Sequence, residues 1–132
     1  MSVAVYPGSF DPVTYGHLDV VRRAASVFDR VIIAVLANPR KTPFLGVEER
    51  VAIIRRSLEE MPDTGGGRVE VEAFDGLTVG FCRAHGARSI VRGLRVISDF
   101  EIELQLAHNN RKLAPEVDTV FFMTALEHGY LS

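Results

Sequence analysis

Residues 31 to 37 read Val31-Ile32-Ile33-Ala34-Val35-Leu36-Ala37, an apolar run without a break. A run this short is a strand. Having no polar alternation, it belongs in a parallel sheet buried on both faces. Working outward, the chain alternates such runs with longer helical patterns. Upstream, Val3 to Tyr6 is a short apolar strand stopped by Pro7-Gly8. From His17 to Phe28, apolar residues at Leu18, Val21, Ala25 and Phe28 follow a helical stripe. Downstream, Val47, Val51, Ile54, Leu58 and Met61 step by four, three, four and three, the spacing of an amphipathic helix. Thr64-Gly65-Gly66-Gly67 reads as a flexible turn, and Val69 to Phe74 alternates like a strand. Leu77 to His85 reads as a helix, with Gly86 at its stop. Ser89 to Val91 is a strand core ended by Arg92-Gly93. Ser98 or Asp99 is placed to cap a helix running to about Leu113, with Pro115 beyond its end. Val117 to Met123 is the last strand.

The order βαβαβαβαβ predicts right-handed crossovers and a Rossmann-like, doubly wound α/β fold. Its sheet is expected to have five parallel strands in the order 3-2-1-4-5, with helices on both faces. The length of 132 residues fits a single domain spanning 1–132. With 47% hydrophobic and 24% charged residues, the chain has the composition of a globular protein. Cys82 is the only cysteine, so neither an internal disulfide nor a multi-cysteine zinc cluster can form. No apolar run is long enough for a membrane helix and the N-terminus has no signal pattern, so a cytoplasmic location is expected. The net charge of −2 argues against nucleic acid as a partner.

In an open α/β sheet, ligands bind beyond the carboxyl ends of the strands, where the strand order reverses. For 3-2-1-4-5 that crevice lies between strands one and four. The segments after those strands, Pro7 to Gly16 and Arg92 to Ser98, are the most chemically unusual in the chain. Gly8 lets backbone approach a ligand closely, and Ser9 adds a hydroxyl and an N–H. His17 falls near a helix start, where free N–H groups favour an anion. The alternative is a Pro/Gly-rich turn with a solvated histidine. Arg92 and Arg95 flank Gly93-Leu94 and can hold phosphates bidentately, or else form a solvated basic loop. Lys41 lies beyond the second strand and could add a point charge. Glu103, taken alone, reads as an exposed helical carboxylate, and His85 and His108 as helix-surface histidines. Cys82 reads as a small core residue. The P-loop motif, the dinucleotide Gly-x-Gly-x-x-Gly, the nucleophile elbow and His-Glu-x-x-His are all absent from the sequence. The crevice therefore reads as one that holds phosphates without a covalent nucleophile.

Taken together, these motifs resemble the nucleotidyltransferase superfamily marked by (His/Thr)-x-Gly-His, and within it the bacterial phosphopantetheine adenylyltransferases. The residues that carry the likeness are Tyr6-Pro7-Gly8-Ser9-Phe10-Asp11-Pro12 with Thr14-Tyr15-Gly16-His17. Further matches are Leu45 to Val51 with Glu48-Glu49-Arg50, Arg92-Gly93-Leu94-Arg95, Asp99-Phe100-Glu101 and Glu103 to Ala107. The resemblance implies adenylyl transfer from ATP to 4′-phosphopantetheine, with Mg²⁺, giving dephospho-coenzyme A and pyrophosphate. It implies that Ser9, Phe10, His17, Gly93, Leu94, Arg95 and Glu103 contact ATP. It places the start of a further ATP loop at His128, Gly129, Tyr130, Leu131 and Ser132. Ser9, Lys41, Leu77, Thr78 and Arg92 fall at phosphopantetheine positions, with His17, Lys41 and Ser9 as the catalytic set. No protein metal ligand is implied. Members are commonly hexameric and bind coenzyme A as feedback control. They usually continue past the position of Ser132 into further helices, which this chain does not include.

Two other readings remain at this stage. One is a sister nucleotidyltransferase that uses CTP or another acceptor such as nicotinate mononucleotide. The other is a non-catalytic nucleotide-binding module.

Overall fold

The computed structural model describes residues 1–37, 43–61, 67–94 and 97–123. The strands are β1 (Val3–Gly8), β2 (Arg30–Leu36), β3 (Arg68–Phe74), β4 (Ser89–Leu94) and β5 (Asp118–Met123). Between them run α1 (Tyr15–Ala25), α2 (Val47–Glu60), α3 (Thr78–Ala84) and α4 (Ile97–Leu113). The sheet is parallel, in the order β3-β2-β1-β4-β5, as predicted.

The central strands alternate between two cores. Ala4, Tyr6, Val31, Ile33, Val35 and Val91 pack against Val20, Val21, Ala24 and Ala25 of α1 and Ile54 of α2. Val5, Ile32, Ala34 and Ile90 face the other way, onto Val79 and Cys82 of α3 and onto Ala114 and Val117. A strand with both faces covered has no polar side to show, which accounts for the unbroken run at 31 to 37.

Several expected boundaries move. β1 runs on through Pro7 and Gly8, which pair with Ala34 and Val35 of β2. Arg92 and Gly93 do not end β4. They lie inside it, opposite Phe121 and Phe122. α1 begins at Tyr15, two residues before His17, and stops at Ala25 rather than Phe28. α4 begins at Ile97, so Ser98 and Asp99 fall in its first turn and not ahead of it. Residues 64 to 66 of the expected flexible turn lie outside the described residues. Gly67 is a packing glycine: a Cβ there would stand 2.4 Å from the Ala25 carbonyl oxygen and 2.6 Å from that of Phe28.

The register locates the crevice. β1 pairs with β2 along its whole length, from Val3 to Gly8. With β4 it pairs only at Ala4 and Val5. β4 meanwhile stays with β5 as far as Leu94. The two middle strands therefore part beyond Val5, and the gap opens at their carboxyl ends.

Candidate active site

The gap between β1 and β4 is a cleft of about 420 Å³. Its lining includes Ser9, Phe10, His17, Arg92, Gly93 and Glu103. Two segments more than 70 residues apart in sequence thus meet in one cavity, as their position at the strand reversal predicts.

The His17 side is built by a capping box. Thr14, in extended conformation, is the N-cap of α1, and its hydroxyl accepts from the His17 backbone N–H at 3.2 Å. The Thr14 N–H in turn donates to His17 Nδ1 at 3.0 Å. Histidine here takes the place of the glutamate or glutamine usual at the third position of such a box. The consequence is chemical. Because Nδ1 accepts, the proton of the neutral ring is assigned to Nε2, and the imidazole keeps a donor on its other edge. The ring is also braced, with its centroid 4.9 Å from that of Phe10 and 6.4 Å from that of Tyr6, both edge-on.

Phe10 holds a left-handed backbone, φ 48°, which is costly for a residue with a Cβ. Its buried ring, packed edge-on to Tyr6 at 5.2 Å, holds it there. Gly8 leaves room for that ring, since a Cβ would lie 3.1 Å from Phe10 Cε2. The close approach that Gly8 permits is therefore to the protein's own aromatic ring. Asp11 ties the same loop to the entry of α2, accepting from the Phe44 and Leu45 N–H groups.

The Arg92 side differs from expectation. Its guanidinium does not lie open in a basic loop: Nε and Nη2 donate to the two carboxylate oxygens of Glu103 at 2.7 and 2.8 Å. Nη1 donates to the Pro7 carbonyl at 3.0 Å, bridging the gap where β1 and β4 no longer pair. The Glu103 hydrogen bond holds the Arg92 pKa above its ordinary value, against the opposing effect of burial. Nor is Glu103 an exposed helical carboxylate, as its side chain is only 13% exposed. Its partner lies 11 residues away on another element, a pairing that helical spacing does not reveal.

Thr78 lines a smaller adjoining cavity of about 160 Å³, shared with Arg92, Glu103, Leu106 and Asn110. Leu77, the N-cap of α3, is exposed. Leu94 is buried at the end of β4. Lys41, Arg95 and His128 to Ser132 lie outside the described residues. Of the histidines read as surface groups, His108 is exposed. His85 is not: it stacks on Phe81 at 4.0 Å and its Nε2 lies 3.0 Å from Glu72. Cys82 is fully buried, as expected, and burial pushes its thiol up to about 11.

Sequence reasoning missed Arg50. It matched the Glu48-Glu49-Arg50 motif but received no role. The signal was present, because Arg50 lies three residues after Val47 and four before Ile54, on the apolar stripe of α2.

The chain belongs to the cytidylyltransferase-like family, whose model matches residues 5–132. Its relatives narrow the assignment to the phosphopantetheine adenylyltransferases. The enzyme of that name from Synechococcus sp. (strain JA-3-3Ab) is 54% identical over 130 residues, covering 98% of this chain and 79% of that one. The one from Lachnoclostridium phytofermentans is 54% identical over 132 residues, covering 100% of this chain and 78% of its own length. Among solved structures, a Plasmodium falciparum nicotinic acid mononucleotide adenylyltransferase superposes with a TM-score of 0.69. It shares 13% identity and covers 99% of this chain and 80% of that one, a likeness of fold alone.

Proposed function

We propose that this chain catalyses adenylyl transfer from ATP to 4′-phosphopantetheine, giving dephospho-coenzyme A and pyrophosphate. The observation that carries the reading is the parting of β1 and β4, which sets His17 and Arg92 around one cleft. The 54% identity to enzymes of that name supports the choice of substrates.

The reaction needs no general base. The acceptor is a phosphate monoester whose second pKa is about 6, so it is mostly dianionic at neutral pH. One of its oxygens forms a bond to the α-phosphorus of ATP as the bond from that phosphorus to the α–β bridging oxygen breaks. Pyrophosphate leaves with that bonding pair. What remains for the protein is alignment and the neutralisation of charge on the pentacoordinate phosphorus. In this reading His17 donates from Nε2 to the transferring phosphoryl group, assisted by Ser9 and Lys41. Arg92 and Lys41 hold the acceptor, while Phe10, Arg95 and the segment from His128 to Ser132 hold ATP. Glu103 keeps the Arg92 fork in register until a phosphate competes for it. The Thr78 cavity suits the pantetheine arm.

Mg²⁺ is part of the proposal as the companion of ATP, where it would neutralise phosphate charge. The cleft carboxylates are already committed, Asp11 to backbone N–H groups and Glu103 to Arg92. No cluster of three potential metal ligands exists among the described residues. The ion's ligands in this reading are phosphate oxygens and water, the usual habit of Mg²⁺.

A cytoplasmic homohexamer with feedback binding of coenzyme A completes the proposal. Phe100 and Leu104 lie one turn apart on one face of α4, and Ile102 and Leu106 on another, and all four are exposed apolar side chains available for contact with further copies. No helix among the described residues is long and apolar enough to cross a membrane. Light scattering on the purified chain would give about six times the monomer mass, and a monomer would refute the assembly.

The functional test is a pyrophosphate-release assay pairing ATP or CTP with 4′-phosphopantetheine and with nicotinate mononucleotide. Turnover is expected with ATP and 4′-phosphopantetheine. Preference for another pair would overturn the substrate assignment, and nucleotide binding without turnover would favour a non-catalytic module.

A further inference from the structure

Arg50 is the largest fully buried side chain among the described residues, at 1% exposure. It has no carboxylate partner among the described residues. Its guanidinium instead collects main-chain carbonyls from three segments. Nε donates to Leu45 at 3.0 Å, and Nη1 donates to Ser9 at 2.8 Å and to Leu36 at 2.9 Å. Nη2 is buried with no partner among the described residues. Burying a cation without a counter-ion, with one donor unsatisfied, is costly, and an apolar side chain on this stripe would avoid the cost. Packing does not explain an arginine here. The geometry of the Ser9 peptide does.

Arg50 reaches Ser9 from the α2 and β2 side of β1, whereas the cleft lies on the β4 side. The Ser9–Phe10 peptide is trans, because the cis bond of this loop is Asp11–Pro12. Across a trans peptide the C=O and N–H point in opposite directions. Holding the Ser9 carbonyl toward Arg50 therefore turns the Phe10 N–H toward the cleft. The left-handed φ of Phe10, fixed by its ring between Tyr6 and His17, holds the next peptide in place as well.

We propose that Arg50 is a positioning residue for phosphoryl binding. From behind the loop it pins the Ser9 carbonyl inward, so that the Phe10 N–H faces the cleft as a fixed donor to a phosphate oxygen. The inference rests on the adenylyl-transfer reading, but its test does not depend on turnover. Ser9–Phe10 is the only Ser-Phe step in the sequence. Labelling serine carbonyl carbons with ¹³C and phenylalanine nitrogens with ¹⁵N therefore isolates this one amide by NMR.

Titrating the wild-type chain with inorganic pyrophosphate should move the Phe10 amide proton downfield, as hydrogen bonding to an anion does. If calorimetry shows that pyrophosphate binds while the Phe10 amide does not respond, or if pyrophosphate does not bind at all, the proposal is wrong, whether or not the enzyme turns over. Arg50→Lys keeps the charge but loses the fork, and Arg50→Met keeps the bulk alone. Each variant that folds should lose about 10- to 100-fold in kcat, with the acceptor KM changed far less, since a misplaced donor is felt in the transition state. Arg50→Lys should retain more activity than Arg50→Met. Folded variants with wild-type kcat and an unchanged Phe10 response would also refute the role. Should neither variant fold, the wild-type titration decides alone.

Discussion

Thr14 and His17 exchange two backbone N–H hydrogen bonds, with the Thr14 hydroxyl also 3.2 Å from Nδ1, and that exchange selects the form of the histidine. An imidazolium would bring an Nδ1 proton against the Thr14 N–H, so the box is made by the neutral ring with its proton on Nε2. Thr14→Val should lower kcat and cost about 1 kcal/mol as a lost N-cap, while Thr14→Ser should restore both. Urea unfolding and pyrophosphate release measure the two effects, and an unchanged kcat in Thr14→Val would contradict the link. At Arg92, lysine cannot reproduce the planar fork. Arg92→Lys should raise the KM for phosphopantetheine more than that for ATP, and equal changes in both would argue against an acceptor site. Cys82, buried with its thiol at about 11, should resist a thiol reagent at pH 8 until the chain is unfolded. Single residues were legible where a local motif announced them, as at Ser9 and His17. They were illegible where the partner is distant. Nothing near Glu103 in the sequence shows that its carboxylate meets Arg92, and nothing near Arg50 shows which carbonyls it collects.

Among the elements, the strand cores were legible because buried parallel strands are apolar throughout. Their ends were not. Pro7-Gly8 and Arg92-Gly93 carry strong turn signals, yet both pairs lie within strands. β2 and β5 continue alongside and supply the pairing, a tertiary effect that local propensity does not contain. The same limit applies to Gly67, which reads as turn composition but lies against the end of α1. Gly67→Ala must displace main chain, and should destabilise the protein by about 1–3 kcal/mol in urea unfolding. A neutral result would mean that the α1–β3 approach is looser than the structure describes. Along the β2–β3 edge, Arg30 and Glu70 form a two-bond pair, and the arginine's hydrogen bonds hold the Glu70 carboxyl below its ordinary range. A lowered carboxyl pKa stabilises the fold above the unfolded value near 4.5, and that stability is lost as pH falls through the lowered folded value. Glu70→Gln should therefore cost about 0.5–1 kcal/mol at pH 7, and the difference from wild type should vanish in acid. A difference that persisted there would have another origin.

For the molecule as a whole, the alternation of strands and helices predicts a parallel sheet covered on both faces but not its strand order, since a 2-1-3-4-5 sheet alternates in the same way. Once the order is 3-2-1-4-5, the place where the cleft opens follows from it. Periodicity could not show how the cleft is furnished. Arg50 and the Phe10 ring support the first loop from inside, and the Arg92–Glu103 pair spans the second side before any substrate arrives. All of these depend on contacts between elements. Taken together they describe a protein that accelerates transfer by holding donors in place around a polyanion. The most direct test of that claim is the kinetics of His17→Ala with ATP, Mg²⁺ and 4′-phosphopantetheine. Loss of a single aimed donor should lower kcat by about 10²–10³-fold while both substrates still bind with nearly wild-type affinity. Turnover at the wild-type rate would show that the imidazole is not aimed at the transferring phosphoryl group, and the account would fail.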